Sequence, residues 1–299
     1  MLRPPSLQKG DTVGIVSTAR KITSEELAPF IELLASWDLN AVLGKTINVS
    51  YNQFAGNDRL RAEDFQEMMD NPEIKAIWCA RGGYGTVRMV DQLEFATFRS
   101  NPKWIIGYSD VTVLHSHIHS LSIETLHANM AMEFDIKSAE TRESVRDVLF
   151  GKKYKVRYIS EENKHHRNGK VRGQVVGGNL SLLYSLIGSP SQLATTGKIL
   201  FIEDLDEYLY HIDRMIQNLK RNGLLAELKG LIVGGMSDMN DNTIPFGKTA
   251  HEIIAEAVAE YDYPVCFNFP AGHIADNRAL ILGGEATLTV ENNSVTLHY

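Results

Sequence analysis

The chain has 299 residues, of which 43% are apolar and 22% charged, and its formal net charge is −7. This composition is typical of a soluble globular protein, and the length predicts one large domain or two ordinary ones. The acidic balance argues against nucleic acid or an anionic membrane as the main partner. The N-terminal segment has no long apolar run, and Cys79 and Cys266 provide no disulfide framework. We therefore expect a cytoplasmic protein without a membrane span.

In the first half of the chain, short apolar runs alternate with amphipathic segments. The predicted strands are 12–17, 41–43, 74–80 and 103–106, and the predicted helices are 23–37, 57–69, 84–93 and 110–120. Thr23 and Glu26 have the spacing of a capping box at the first helix. This alternation predicts an α/β fold with a mostly parallel sheet, whose ligands bind beyond the carboxyl ends of the strands.

The composition changes near residue 150. Eight Lys or Arg residues lie between Gly151 and Gly173, and Asn168-Gly169 is a turn signal, so we predict an exposed linker containing a hairpin. Beyond it, helices are predicted at 179–187, 208–222 and 248–261, and strands at 199–203, 230–234, 265–269, 279–282, 286–290 and 295–298. We expect an N-terminal α/β nucleophile domain (1–150), the linker or hairpin (151–172) and a smaller, β-rich C-terminal α/β domain (173–299).

Gly107-Tyr108-Ser109-Asp110 stands between a predicted strand and a predicted helix. A serine at such a sharp turn exposes its hydroxyl, and the N–H groups of the helix start can stabilise an oxyanion. The G-x-S-x-G pattern of many hydrolases is incomplete, because Val111 occupies the position of the second glycine. Helix capping by Ser109 or Asp110 is the alternative interpretation.

Three further loops carry candidate chemistry. Arg81-Gly82-Gly83-Tyr84-Gly85 fits neither a dinucleotide fingerprint nor a P-loop, which leaves a tight turn or backbone donors for an oxyanion. Glu203 and Glu207 belong to an acidic segment after a predicted strand, and His273 follows another. Together with Ser109, they supply a serine, a carboxylate and a histidine, which form a catalytic triad only if the fold brings them together.

A metal site is the alternative that the histidines offer. His115 and His119 are spaced i, i+4 on a predicted helix, as zinc ligands can be. No acidic residue lies near them in the sequence, so we predict ordinary surface or interface histidines.

Several motifs, in order, carry a resemblance to a known family. They are Ala55-Gly56-Asn57-Asp58, Arg61-Ala62-Glu63-Asp64, Ala80-Arg81-Gly82-Gly83-Tyr84-Gly85, Ile106-Gly107-Tyr108-Ser109-Asp110, Gly177-Gly178-Asn179-Leu180, Leu200-Phe201-Ile202-Glu203-Asp204, Ile212-Asp213-Arg214 and Gly272-His273. Over most of its length, from near Gly10 to near Glu285, the chain resembles the LD-carboxypeptidase family of serine peptidases. That family also includes the microcin C7 self-immunity proteins.

The resemblance implies a role for each candidate residue. Ser109 matches the nucleophile, Glu203 the triad carboxylate and His273 the base, and the backbone N–H groups of Gly83 and Asp110 match the oxyanion hole. It also implies a homodimer that needs no metal or cofactor, with a triad that closes between an α/β nucleophile domain and a smaller C-terminal domain. The implied substrate is the murein tetrapeptide of cell-wall recycling, cut between the L-centre of the diamino acid and the terminal D-alanine.

Some alternatives stay open from the sequence. His127-Ala128-Asn129 and Leu280-Ile281-Leu282-Gly283 depart from the family pattern, which puts the substrate in question more than the reaction. A microcin-type hydrolase of peptidyl-adenylates is one alternative, although the segment from Gly178 to Gly197 is short and has Tyr184 as its only aromatic residue. A non-catalytic muropeptide-binding module is another. Glu207 could also replace Glu203 as the partner of His273, although Glu203 is preferred because it ends a predicted strand.

Overall fold

A computed structural model describes residues 1–160 and 164–299. Its strands are β1 (Thr12–Val16), β2 (Asn40–Leu43), β3 (Ile74–Cys79), β4 (Trp104–Gly107), β5 (Thr125–His127), β6 (Lys155–Ile159), β7 (Gly169–Asn179), β8 (Ile199–Leu205), β9 (Gly230–Ser237), β10 (Val265–Cys266), β11 (Leu280–Leu282), β12 (Glu285–Glu291) and β13 (Ser294–His298). Its α-helices are α1 (Ser24–Ser36), α2 (Asp58–Asp70), α3 (Ala96–Ser100), α4 (Thr112–Ser120), α5 (Ala139–Leu149), α6 (Leu180–Ser185), α7 (Leu209–Arg221) and α8 (Ala250–Ala257).

The first sheet has six strands in the order β11-β5-β4-β3-β1-β2. All neighbours are parallel except β11, which runs antiparallel to β5. This confirms the predicted, mostly parallel sheet. The chain adds β2 on one side of β1 and β3 to β5 on the other, so the strand order reverses between β1 and β3. In open α/β sheets, the crevice beyond the carboxyl ends at such a point is the usual ligand site.

The second sheet has seven strands in the order β10-β9-β8-β7-β12-β13-β6. Strands β7 to β10 are parallel, whereas β12, β13 and β6 add antiparallel neighbours. The mixed α/β character predicted for the second half is confirmed. One hydrophobic core cluster contains buried side chains of both sheets, among them Val13, Trp78, Phe201 and Leu288.

The predicted hairpin around Asn168-Gly169 is wrong. Strands β6 and β7 lie on either side of the β12–β13 pair and do not contact each other as partners. Asn168 instead exchanges hydrogen bonds with Asn292 in the turn between β12 and β13, at 2.9 and 3.1 Å. The segment is rich in basic residues because β6 is an edge strand, where exposed lysines discourage further strand pairing. The same composition is also typical of an exposed linker. The part of the predicted hairpin at 161–163 lies outside the described residues.

The predicted domain boundaries stay a prediction. One strand from the end of the chain, β11, lies in the first sheet, where Leu280 pairs with His127. The C-terminal part of the chain therefore contributes to both sheets.

The helix predicted at 84–93 is replaced by two short 3₁₀ turns, Thr86–Arg88 and Val90–Gln92. Gly85 has φ 154°, a conformation that interrupts a helix, and the N–H of Thr86 donates to the Asp110 carboxylate at 2.8 Å. The predicted helix at 110–120 begins with a 3₁₀ turn, Ser109–Val111, before α4.

The predicted capping box of α1 is confirmed. Glu26 N donates to Thr23 Oγ1 at 3.2 Å, and Thr23 N donates to Glu26 Oε2 at 2.8 Å. These bonds satisfy donors that a helix start otherwise leaves unpaired.

Gly177 provides a test of how closely β7 and β8 approach. Its φ is +133°, and an added β-carbon would lie 1.8 Å from the carbonyl oxygen of Phe201. We expect Gly177→Ala to lower the free energy of unfolding by roughly 3 kcal/mol or more, through backbone strain and overpacking. Denaturant titration measures this loss. The control is Gly188→Ala, because Gly188 also has positive φ but no atom within 4 Å of its β-carbon position. Equal losses in the two variants would contradict the contact with β8.

Candidate active site

Ser109 occupies a strained turn at the carboxyl end of β4. Its φ is +58°, in the left-handed region that costs a residue with a side chain of order 1–3 kcal/mol. The turn leads directly through Asp110 and Val111 into α4. Gly107, just before it, leaves room for the Val111 side chain, which would lie 2.8 Å from an added β-carbon. The local geometry is that of a sharp strand-to-helix turn on which Ser109 is partly exposed.

Buried polar groups tie the neighbouring loops to this turn. The Asp110 carboxylate accepts from Thr86 N, and the Thr86 hydroxyl donates to the hydroxyl of Thr18 in the loop after β1 at 2.8 Å. The Arg61 guanidinium, which is buried, donates to the carbonyl oxygens of Thr18 and Gly85 and pairs with Asp58. The loops after β1, β3 and β4 are thus fixed relative to one another. This explains structurally why Arg61 stands in one of the family motifs.

Glu203 and His273 form a close pair. His273 Nδ1 lies 2.6 Å from Glu203 Oε2, and the His273 backbone N–H donates to the same oxygen at 3.1 Å. The Glu203 side chain is fully buried, whereas 13% of the His273 side chain is exposed. Because the carboxylate accepts at Nδ1, it fixes the tautomer with the proton on that atom and leaves Nε2 available as a base.

Local backbone conformation makes this pair possible. Gly272 has φ +109°, and an added β-carbon would lie 2.7 Å from Cβ of Glu203. Its N–H donates to the buried side chain of Asn277 at 2.8 Å. The alternative carboxylate, Glu207, lies 2.5 Å from Nδ1 of His211 in α7. The contacts therefore favour Glu203 over Glu207 as the partner of His273.

One cavity of about 630 Å³ collects the candidate groups. Ser109, His273 and Gly83 all line it, and the buried Glu203 contacts His273. The ring of Tyr108 packs against the His273 ring with centroids 4.6 Å apart. Burial raises the pKa of Tyr108 to about 12, so this phenol stays neutral. The fold thus brings the predicted serine and histidine, which are far apart in the sequence, to the same cavity.

Backbone donors lie beside the serine. An added β-carbon at Gly82 would lie 3.7 Å from Cβ of Ser109. Within the described residues, the N–H groups of Gly83 and Asp110 have no hydrogen-bond acceptor. Both are therefore available to a ligand, as an oxyanion hole requires.

The histidines considered as metal ligands are engaged in other contacts. His115 is buried, so the prediction of a surface or interface histidine is wrong for it; its ring contacts Thr125 Oγ1 at 2.8 Å and Gly107 O at 2.9 Å. His119 Nε2 lies 2.8 Å from Lys198 Nζ. Burial lowers the pKa of both imidazoles to about 4. Residues 1–160 and 164–299 contain no cluster of three or more His, Cys, Asp or Glu placed to hold a metal ion.

Sequence reasoning missed the role of Asp204. Its carboxylate accepts from Asn179 Nδ2 at 2.9 Å and from Ser181 N at 2.8 Å, at the start of α6. Burial and the adjacent Glu203 raise its pKa to about 7. Neighbouring residues of a strand face opposite sides, so β8 directs Glu203 to His273 and Asp204 to α6. Asn179 and Asp204 each stand in one of the family motifs, but the sequence does not show that they meet. The parallel pairing of β7 with β8 brings them together.

His127 belongs to one of the segments that depart from the family pattern. It is buried at the end of β5, and neither ring nitrogen has a hydrogen-bond partner among the described residues. Burial holds its pKa well below the usual value, so the ring is neutral. It packs between the rings of Tyr108 and Phe201. His127 therefore contacts the candidate site through Tyr108, whose ring also packs against His273.

A partly exposed serine on a strained turn and a buried Glu–His pair at the same cavity are typical of a serine hydrolase site. Residues 13–128 match the LD-carboxypeptidase N-terminal domain, and residues 172–288 match the LD-carboxypeptidase C-terminal domain. The chain belongs to the LD-carboxypeptidase family.

Individual relatives agree with this assignment. The chain is 33% identical to a probable murein peptide carboxypeptidase of Bacillus subtilis, over 98% of this chain and 93% of the relative. It is 27% identical to the microcin C7 self-immunity protein of Escherichia coli, over 97% and 94% of the two chains. The crystal structure of the muramoyltetrapeptide carboxypeptidase from Oxalobacter formigenes superimposes with a TM-score of 0.87 at 26% identity, covering 96% of this chain and 98% of that one.

Proposed function

We propose that this protein is a serine LD-carboxypeptidase that releases the terminal D-alanine from murein tetrapeptides in cell-wall recycling. The observation that carries the proposal is the buried Glu203–His273 pair on the cavity that Ser109 lines. The kinship with murein peptide carboxypeptidases supports the substrate class.

In the proposed mechanism, His273 Nε2 takes the proton of the Ser109 hydroxyl as the oxygen attacks the amide carbonyl. Glu203 orients the imidazole and stabilises its cationic form. The N–H groups of Gly83 and Asp110 bind the developing oxyanion. Collapse of this intermediate releases D-alanine, whose amine takes the proton from His273. Water activated by His273 then hydrolyses the acyl-enzyme and regenerates Ser109.

The microcin-type alternative predicts a different substrate, a peptidyl-adenylate, which needs a surface for its nucleobase. The single aromatic residue between Gly178 and Gly197 is Tyr184 in α6, which packs against the apolar core beside the second sheet. It is therefore poorly placed to stack a base, and this favours the murein substrate. Comparing kcat/KM for a murein tetrapeptide and for an aspartyl-adenylate analogue discriminates the two.

The non-catalytic alternative has its own test. A muropeptide-binding module has no activated serine, whereas the proposed enzyme reacts with a fluorophosphonate probe. We expect a single adduct on the peptide that contains Ser109, together with D-alanine release from the tetrapeptide. Absence of both reactions in folded protein would support the binding module.

We further propose that the protein acts in the cytoplasm as a homodimer, with residues 1–150 and 173–299 as its two domains. The described residues include no helix long and apolar enough to cross a membrane. The exposed rings of Tyr208 and Tyr210 provide apolar surface for a contact between copies. Sedimentation equilibrium measures the oligomeric state, and a monomer at micromolar concentration would contradict this part of the proposal.

Metal removal tests the mechanism directly. A serine hydrolase keeps its nucleophile on chelation, whereas a zinc hydrolase loses its activated water. We expect full activity after exhaustive dialysis against EDTA. Loss of activity that added zinc restores would overturn the serine mechanism.

A further inference from the structure

Charged side chains of both signs line the cavity beside Ser109. Three are basic, Arg20, Arg81 and Lys137, and three are acidic, Glu133, Asp206 and Glu207. Arg81 is already engaged, because its Nη1 donates to Lys21 O at 3.1 Å and lies 3.9 Å from a Glu26 carboxylate oxygen. The Arg20 guanidinium makes no hydrogen bond or ion pair with any described residue. It is therefore available to a ligand.

Arg20 lies against the glycine loop that offers the oxyanion donors. An added β-carbon at Gly83 would lie 2.6 Å from Arg20 Nε, and Arg20 N donates to Gly82 O at 3.4 Å. On the Ser109 side of the same loop, an added β-carbon at Gly82 would lie 3.8 Å from Ser109 Oγ. The Arg20 side chain and Ser109 thus lie next to two consecutive residues of one loop, Gly83 and Gly82.

The topology places this arginine at the usual ligand crevice. Arg20 follows β1, and Gly82 and Gly83 follow β3, so they stand at the carboxyl ends of the two strands between which the order reverses. Lys137 also has no ion pair among the described residues, but it belongs to the segment between β5 and α5. Arg20 is therefore the basic residue that lies in the crevice and packs against the oxyanion loop.

The proposed reaction requires a cation near this position. In a peptide that ends in D-alanine, the terminal carboxylate carbon is three bonds from the carbonyl carbon that Ser109 attacks. A group that binds this carboxylate must lie close to the oxyanion hole. A guanidinium matches a carboxylate in shape and can donate two parallel hydrogen bonds to it.

Building on the proposed function, we propose that Arg20 binds the terminal carboxylate of the leaving D-amino acid and thereby restricts the enzyme to the free C-terminus of its substrate. Arg20 is a specificity residue, and the proton transfers remain with Ser109 and His273. The same contact excludes peptides whose C-terminus is an amide or continues into a longer chain, because neither presents a carboxylate at that point.

The test compares two substrates, the murein tetrapeptide ending in D-alanine and the same peptide ending in D-alaninamide. We expect the wild-type protein to prefer the acid by roughly 10- to 100-fold in kcat/KM, as expected for a charge-assisted contact. In Arg20→Gln, the acid should lose that factor while the amide changes by less than about threefold, so the preference disappears. Arg20→Lys keeps the charge without the fork and should fall between the two.

The matched control is Lys137→Gln, which removes one positive charge from the same cavity. It should keep the wild-type preference for the acid. Arg20 is exposed, so the substitution does not disturb the core, and thermal unfolding verifies this. An acid preference that survives Arg20→Gln, or one that Lys137→Gln abolishes instead, would overturn the role of Arg20 while leaving the proposed function intact. Wild-type protein that releases D-alanine from neither peptide would overturn the proposed function and this inference with it.

Discussion

Ser109→Ala should abolish D-alanine release while leaving the fold unchanged. The substitution removes the attacking oxygen, and loss of a triad nucleophile typically costs about 10⁴-fold or more in kcat. Alanine keeps the β-carbon in the same strained turn, at φ +58°, so stability should stay close to that of the wild type. The measurement is D-alanine release from a murein tetrapeptide by the purified variant, alongside thermal unfolding.

Ser120→Ala is the matched control for this loss. Ser120 lies at the end of α4 and is exposed, and its hydroxyl donates to the carbonyl oxygen of His117. Its substitution should leave the rate unchanged. If Ser109→Ala kept activity within about tenfold of the wild type, Ser109 would lose the role of nucleophile.

His273→Ala should be about as damaging as Ser109→Ala, and the double variant little worse than either. Residues that act as one catalytic unit show strongly non-additive losses, because removing one disables the other. Single-turnover assays of the two single variants and the double variant measure this coupling. Losses that multiply in the double variant would mean that Ser109 and His273 work independently.

A second histidine–carboxylate pair provides the control. His211 and Glu207 also lie close together, in α7 and just before it, but His211 does not line the cavity. His211→Ala should therefore retain activity. His273→Ala leaves the buried Glu203 carboxylate without its Nδ1 partner. The free energy of unfolding should therefore fall by about 1–3 kcal/mol. For this reason the activity is measured well below the unfolding temperature.

Three strands of the parallel first sheet, β1, β3 and β4, were predictable because they are buried apolar runs, whereas β5 was not predicted. The contact of Asn168 with the turn between β12 and β13 was not predictable, because its partner, Asn292, is 124 residues away and no local pattern encodes it. The helix expected at 84–93 fails for a related reason. The buried carboxylate of Asp110 captures Thr86 N, and this non-local bond outweighs local helix propensity.

The candidate site also has one part that the sequence predicts and another that it does not. A serine between strand and helix has a local signal, since Gly107 and Ser109 stand at a recognisable junction. The partner of His273 has none, because an acidic segment in a sequence does not reveal which carboxylate is buried. The structure separates Glu203 from Glu207 by burial and by contact. No sequence motif identifies Arg20 either, and its position in the crevice follows from the pairing of β1 with β3.

The position of β11 has a consequence for synthesis on the ribosome. The first sheet holds Ser109, yet its edge beside β5 stays open until Leu280–Leu282 has been translated, long after Ser109. His273 is translated only a few residues earlier. A nascent chain therefore carries the serine long before it carries the histidine or a completed sheet. The order of translation therefore withholds the proposed base and strand β11 from the proposed nucleophile, Ser109, until residues 273–282 have been made.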